Sequence, residues 1–445
     1  MKKIVITPGI TDLNRGDQAL IWLIRDIVKE SGIKAEYKLI QSGNNGKDIY
    51  NQSRQSMQRG FDVIKPILLH PARGKEKKNI DYTVFTKLSW GATALIDMFK
   101  SSLLLSKVPF LRKIGMSLLD QEQKRTYEDF KTMNLMIVKG GGFLHTYKRI
   151  SDLYYLYYSL YNLLLAKRLG KKIIIMPNSF GPFLGKIEKN IVKKVLSKCD
   201  LIYARESMSK KYLSNIINNE VILSADLGFY IQDYKDYQMQ KLVNINSSLK
   251  KVAITMRPYR FPESDNGKEK YKLYIEEMCK IVKGLLDRKC YPIFIAHTLG
   301  PSSHEDDRIA IKEVIKMLED NGVTKDRYCY INQFDMNCFD ITKLYSEMDY
   351  IIGTRFHSVI FAMTSLIPAI AISYSGHKTL GIMSDIGLSE YTVNIVNINS
   401  VNVLNKFDKL ITNQFSVKDK IRKYLKICEI SKKNLVEEIK KYLNN

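Results

Sequence analysis

Short apolar runs recur along the chain, each closed by glycine, proline or a charged residue and followed by helical spacing. Lys3 to Thr7 reads as a strand that enters a loop over Pro8–Gly16. Leu20, Leu23, Ile24 and Ile27 then share one helix face, and Asp17 is the expected N-cap. Glu36 to Ile40 reads as a second strand. Residues 41–82 are polar and irregular, with little to anchor them. Leu135 to Val138 is a strand running into Gly140-Gly141-Gly142, and its helix is the tyrosine-rich run Ser151–Arg168. Strands follow at Lys172–Met176, Leu201–Ala204 and Val221–Leu223.

Residues 231–250 lack periodicity, and a domain linker is expected there. A second alternating series begins at Val252 and continues through strands at Tyr291–Ala296, Tyr328–Ile331, Tyr350–Ile352 and Ala369–Ser373, with helical segments between them. Alternation of this kind predicts parallel sheets covered on both faces. The expected fold class is α/β, with two Rossmann-like, doubly wound domains facing a cleft. The first is expected over 1–235 and the second over 250–400. Amphipathic helices over 415–445 are free to pack back on the first domain.

One stretch breaks the alternation. From about 83 to 125, Trp90, Leu95, Phe99, Phe110 and other apolar residues crowd together with Lys87, Lys100, Lys107, Arg112 and Lys113. Helices packed on a sheet are the ordinary use of such a pattern, and we favour that reading. A membrane interface is the alternative, so peripheral membrane contact stays open.

Apolar content of 45% makes the chain globular. A net charge of +24 points to anionic partners: nucleic acid, a membrane surface or small anionic substrates. No zinc-finger spacing, arginine-rich arm or RNA-binding aromatic signature is present, so no nucleic-acid partner is expected. The six cysteines form no CxxC pair and read as reduced thiols of a cytoplasmic protein, peripheral at most on the inner face of the membrane. No apolar run is long enough for a spanning helix, and the start is too short for a signal peptide.

The chemistry concentrates where strands end. Tyr350-Ile351-Ile352-Gly353-Thr354-Arg355-Phe356-His357 carries a buried strand into a helix start, with a fixed cation and an imidazole at the corner. Ligands of doubly wound sheets bind beyond the carboxyl ends of the strands, and helix amino-termini attract anions. Arg355 is therefore a candidate anion site and His357 a candidate acid or base. Arg205 and Arg257 also follow strands, and the same reasoning applies to them more weakly. Gly140, Gly141 and Gly142 form either an anion nest or a tight turn. Asp17 suits a helix cap and a hydroxyl-activating base equally. His297 follows a strand, and His377 opens a helix that could clamp an anion. His304, Asp306 and Asp307 show no complete ligand spacing, so no metal is expected.

These motifs, taken in order, resemble the polysaccharide pyruvyl transferase family: Asn14-Arg15-Gly16-Asp17-Gln18-Ala19-Leu20, Gly140-Gly141-Gly142, Pro177-Asn178-Ser179-Phe180-Gly181-Pro182, Ala204-Arg205-Glu206-Ser207, Asp226, Arg257, Gly353-Thr354-Arg355-Phe356-His357 and Pro368–Tyr374. The resemblance implies a GT-B-like fold that uses phosphoenolpyruvate as donor substrate, with no further cofactor and no metal. It implies that Arg355, Arg205 and Arg257 bind phosphoenolpyruvate and that His357 is catalytic. Asp17, Gly140–Gly142, His297 and His377 would then face the acceptor or an anion. The implied product is a pyruvate ketal on a sugar of a surface polysaccharide or its lipid-linked precursor. The alternative is a glycosyltransferase using a nucleotide-sugar, with the same arginines on a diphosphate. Phe356 stands where leucine is common in the family, and 41–130 carries no clear family pattern.

Overall fold

The computed structural model describes all residues except 10, 42–45, 72–83, 148, 150, 232–247, 263, 375 and 445. The linker expected at 231–250 falls almost wholly outside the described residues. The chain divides into two compact units. The first contains Met1–Asp12, Leu20–Asp226 and Lys432–Asn445, and the second Leu13–Ala19 and Leu227–Ser431.

In the first unit the strands are β1 (Lys2–Gly9), β2 (Ala35–Gln41), β3 (Phe61–Ile64), β4 (Leu135–Val138), β5 (Gly141–Thr146), β6 (Lys172–Phe183), β7 (Leu201–Ala204) and β8 (Ile222–Leu223). Their order is β3-β2-β1-β4-β6-β7-β8, with β5 also paired to β6, and every pairing is parallel. Ile4–Ile6, Leu135–Val138 and Ile173–Met176 are completely buried, which is why they read as unbroken apolar runs.

The second unit repeats the plan with β9 (Lys250–Thr255), β10 (Cys290–Ile295), β11 (Cys329–Ile331), β12 (Tyr350–Gly353), β13 (Ala369–Ser373) and β14 (Thr392–Asn394). Its order is β11-β10-β9-β12-β13-β14, all parallel. This is the doubly wound order in which the chain reverses direction across the first and fourth strands, so the switch point lies between β9 and β12. The expected α/β class with two Rossmann-like units is therefore present.

The structure corrects the reading of residues 41–82. Its described part holds a helix, Gly46–Gln58, and the strand β3. Among the described side chains that helix buries Ser53 and Ser56 and leaves Tyr50 and Met57 exposed. Trp22 Nε1 donates to Ser56 Oγ at 2.9 Å, and Ser56 N donates to the Asp12 carboxylate at 2.9 Å. A helix anchored by hydroxyls leaves no hydrophobic period to detect. The strand β5 was also unforeseen, because it opens on glycine. A Cβ at Gly140 would lie 2.4 Å from the Pro177 carbonyl, and Gly141 has a φ of +136°. The C-terminal segment is one helix, Gln414–Asn444, with Val417, Ile421, Cys428, Leu435, Ile439 and Leu443 buried along it. Its last turns lie in the first unit, where Lys432 pairs with Glu30 at 2.6 Å.

Candidate active site

The backbone at the β9/β12 switch point is fixed by short hydrogen bonds. Gly353 pairs in register with Thr255. Thr354 donates to the Thr255 carbonyl from both its N–H, at 3.1 Å, and its hydroxyl, at 2.7 Å. Thr255 Oγ1 lies 2.8 Å from Ser358 Oγ, in the first turn of the helix Phe356–Met363. Arg355 is the N-cap of that helix. Its position is set by four hydroxyl and backbone contacts before its own side chain is considered.

The Arg355 guanidinium is almost fully buried and engages two carboxylates. Nε donates to Asp307 Oδ1 at 2.8 Å, and Nη1 donates to Glu305 Oε2 at 2.7 Å. Asp307 is completely buried and also accepts from the His297 and Thr298 N–H groups, at 3.1 and 2.8 Å. Burial raises the Asp307 carboxyl to about 6 against the pull of Arg355 and Thr298 N–H, so it stays ionised at neutral pH. Glu305 is one-third exposed and is shared with Arg257, whose Nη2 donates to Oε1 at 3.0 Å. Burial opposes ionisation of Glu305, but Arg355 and Arg257 outweigh it and hold the carboxyl at about 2.

Tyr374 completes this corner. The Arg257 guanidinium lies 4.2 Å from the Tyr374 ring centroid, and Lys378 Nζ donates to Tyr374 Oη at 3.3 Å. Burial raises the phenol, but Lys378, Arg257 and Arg355 together bring it down to about 7. Three cations, two carboxylates and a phenol on the edge of ionisation thus share one strand-end corner. His377 is the N-cap position of the helix Lys378–Asp385 and lies at its edge.

The motif around Asn14 belongs to the same unit. A Cβ on Gly16 would sit 2.2 Å from His357 Nδ1, so only glycine lets the imidazole lie against this turn. Arg15 is 1% exposed and donates to the carbonyls of Leu13, Gln333, Phe334 and Met336 at 2.9–3.1 Å. Gln18 Oε1 accepts from Cys338 N at 2.7 Å. Asp17 is not the N-cap. Asn14 Oδ1 accepts from the N–H groups of Gly16 and Asp17, and the Asp17 carboxylate accepts from Asn14 Nδ2 at 2.6 Å. His297 is buried, with Nδ1 3.1 Å from Tyr345 Oη. Burial and the nearby His357, Arg355 and Arg15 hold it well below the usual imidazole range, so it offers a neutral ring. Among the described residues, His297 Nε2, Thr298 Oγ1 and Arg257 Nε are buried without a hydrogen-bond partner.

In the first unit, Arg205 is 2% exposed. It donates from Nε to Ser179 Oγ at 2.8 Å and from Nη1 to the fully buried Asp226 at 2.7 Å. Glu206 beside it is also buried, and burial raises its carboxyl to about 7 in spite of Arg205. Gly141 and Gly142 lie in β5, where Gly141 pairs with Asn178. Neither side-chain polar atom of Asn178 has a partner among the described residues.

The structure therefore brings Arg355, Arg257, His357, His297, His377 and Asp17 into one unit, and Arg205 and Gly140–Gly142 into the other. The sequence did not disclose Glu305 and Asp307 as arginine partners. Both stand in an acidic run beyond a strand end, and of that run the sequence singles out only Asp306 and Asp307, beside His304, for a metal reading that lacks ligand spacing. Asp306 instead pairs with Arg308 at 2.7 Å, and His304 Nδ1 lies 3.0 Å from Arg260 Nη2. No group of three or more His, Cys, Asp or Glu among the described residues is arranged to hold a metal.

Residues 14–376 match the polysaccharide pyruvyl transferase family. The amylovoran biosynthesis protein AmsJ of Erwinia amylovora is 26% identical over 265 residues, which are 58% of this chain. The chain spans 61% of the length of that relative. Among solved structures, a UDP-N-acetylglucosamine 2-epimerase superposes with a TM-score of 0.54 at 11% identity, covering 98% of this chain and 95% of its own. MnaA of S. aureus, solved with UDP, gives 0.56 at 12% identity, with coverage of 100% and 97%. A trehalose-6-phosphate synthase gives 0.51 at 12% identity, with coverage of 99% of both chains. At these identities the likeness concerns the fold, which is that of GT-B-like enzymes.

Proposed function

Because the chain belongs to the polysaccharide pyruvyl transferase family, we propose that it transfers the pyruvyl group of phosphoenolpyruvate to a sugar of a surface polysaccharide or its precursor, forming a ketal. The observation that carries this reading is the Arg257–Glu305–Arg355 bridge, with Lys378 beside it, at the β9/β12 switch point. Phosphoenolpyruvate carries its carboxylate and its phosphate ester on the same central carbon. Arg257 and Arg355, already held side by side by one shared carboxylate, suit such a pair of anions. Lys378 adds a third positive charge, so the reading needs no metal as counter-ion. Arg205, engaged by Asp226 and Ser179, has a positioning part in the first unit.

In this reading His357 is the general acid. Its proton goes to the methylene carbon of the donor, and positive charge develops on the central carbon. A sugar hydroxyl attacks that carbon and gives up its proton, which forms the first C–O bond. The proton of the first hydroxyl restores His357. A second hydroxyl then forms the other C–O bond as the C–O bond to phosphate breaks. Its proton leaves with the phosphate, giving a cyclic ketal and inorganic phosphate. The ionised Asp307 and Glu305 stand behind the arginines and steady the developing charge, a preorganised field that costs no reorganisation during the reaction.

The test is thermal stabilisation by phosphoenolpyruvate compared with UDP-sugars, on the wild type and on Arg257→Gln. A ligand that binds only the native state raises apparent stability by mass action. A shift with phosphoenolpyruvate that disappears in Arg257→Gln supports the reading. A shift with UDP-sugars alone overturns it.

A further inference from the structure

We propose that the hairpin formed by the helices Val84–Leu105 and Pro109–Ser117 lies in the plane of an anionic lipid surface. The inner side of the first helix is spoken for. Leu104 is fully buried, Ser101 Oγ lies 2.8 Å from Tyr157 Oη, and Tyr161 Oη donates to the Ser101 carbonyl at 3.3 Å. Arg168 pins the turn by donating twice to the Ser106 carbonyl, at 3.1 and 2.8 Å. The second helix is pressed on the first at Gly115, where a Cβ would lie 2.9 Å from Leu104 Cδ2. The hairpin is therefore rigidly mounted.

Its outer side is apolar and open. Phe85, Leu88, Leu95, Ile96, Phe99 and Phe110 are 54–80% exposed. Residues 85, 88, 95 and 99 follow helical spacing and make one stripe, with Phe110 contributed by the second helix. Isolated exposed apolar residues need no explanation, but a contiguous aromatic and aliphatic face does. Among the described side chains the first helix packs through Ala94, Ser101 and Leu104 and leaves large apolar residues exposed.

Charge selects the occupant. The same hairpin carries Lys100, Lys107, Arg112 and Lys113, of which the three lysines are exposed, against the single acid Asp97. A second copy of the chain would set one positive rim against another in a self-complementary interface. An anionic bilayer supplies both the acyl region for the phenylalanines and the phosphates for the lysines. Among the described residues no helix is long and apolar enough to cross a membrane, so the hairpin would lie along the surface.

The experiment is co-sedimentation of the full chain with vesicles of phosphatidylcholine alone and of phosphatidylcholine mixed with phosphatidylglycerol. The wild type is expected to pellet with the anionic vesicles and to be partly released by salt. Phe99→Ser combined with Phe110→Ser replaces two exposed side chains without touching the packed side, and should weaken partitioning about tenfold or more. Lys100→Glu combined with Lys113→Glu should weaken it by at least about fivefold per lysine. Wild-type protein that stays in the supernatant overturns the proposal. So does a phenylalanine variant that sediments unchanged, or one whose only change is conversion of a dimer to a monomer, which would assign the face to a second copy.

Discussion

Arg205 and Arg355 look alike in the sequence. Each follows a buried strand, each begins a helical segment, and each is almost fully buried beside two acidic residues. Their surroundings differ in one respect. Around Arg205 both acids are buried, Asp226 pairs with the guanidinium, and burial raises Glu206 to about 7, so that carboxyl titrates near neutrality. Around Arg355, Asp307 is buried but Glu305 reaches solvent and joins Arg355 to Arg257. Arg257 Nε and His297 Nε2 remain unsatisfied among the described residues. A strand-end arginine becomes a candidate donor site only when its counter-charge is incomplete or displaceable. Both clusters have unpartnered buried polar atoms beside them among the described residues, Asn178 in the first, so the difference rests on Glu305, which reaches solvent and is shared by two arginines.

The sharpest way to break this contrast is to neutralise each pair. Arg205→Ala strands the buried Asp226, and Arg355→Ala strands the buried Asp307. Each should cost about 3–5 kcal/mol, read by urea denaturation. Removing both charges, as Arg205→Met with Asp226→Asn or Arg355→Met with Asp307→Asn, should recover most of that loss in both units. Phosphate release from phosphoenolpyruvate then separates them. It should return in large part for the Arg205 pair and stay absent for the Arg355 pair. Equal recovery in both would erase the distinction.

Next in size is the imidazole. His357→Ala should lower kcat/KM by about 10²–10⁴ with little change in stability, as expected for loss of a general acid. Gly16→Ala probes the same group from the motif around Asn14. Its Cβ would overlap His357 Nδ1, so the ring must move, and displacement by about 1 Å can cost about 10²-fold. Activity preserved in Gly16→Ala would show that the position of the ring is not critical.

Much of this was legible in the sequence, for identifiable reasons. Strands buried on both faces, such as Leu135–Val138 and Tyr350–Gly353, leave unbroken apolar runs. Arg355 and His357 were visible because they stand where such a run stops. The helix Gly46–Gln58 was not visible, since buried hydroxyls hold it. The role of Gly16 was hidden because the imidazole it makes room for lies far along the chain. Glu305 and Asp307 follow β10, while the arginine they neutralise follows β12, so only the strand order β10-β9-β12 brings them together. Asp17 misled because Asn14, three residues earlier, offers an equally good cap.

A smaller and purely spectroscopic effect sharpens the picture of the second unit. Tyr374 titrates near 7, far below an ordinary phenol, because three cations surround it. A tyrosinate absorbance change with a midpoint near neutral pH should be present in the wild type. It should vanish in Tyr374→Phe and move upward in Lys378→Met, which removes one of the cations. Since the folded value is depressed, the stability that this phenolate contributes is present above about 10 and is lost as pH falls from about 10 to about 7. No near-neutral tyrosinate signal in the wild type would mean that Lys378 and the arginines do not act on the ring together.

The subtlest effect compares two glutamates, each beside an arginine, whose titrations move in opposite directions. Glu206 is raised to about 7 by burial, so the native state holds its proton more tightly than the unfolded chain does. Its contribution makes stability fall as pH rises from about 4.5 to about 7. Glu305 is held at about 2 by Arg355 and Arg257, so its contribution is present above about 4.5 and is lost as pH falls towards 2. Asp307, raised to about 6, adds to the first slope and complicates the wild-type curve. Difference curves remove that complication. Glu206→Gln should flatten the decline between about 4.5 and 7 and leave the acid limb alone. Glu305→Gln should flatten the acid limb and leave the decline alone. If both variants altered the same limb, the two arginine environments would be electrostatically equivalent, and the separation of a closed site from an open one would fail.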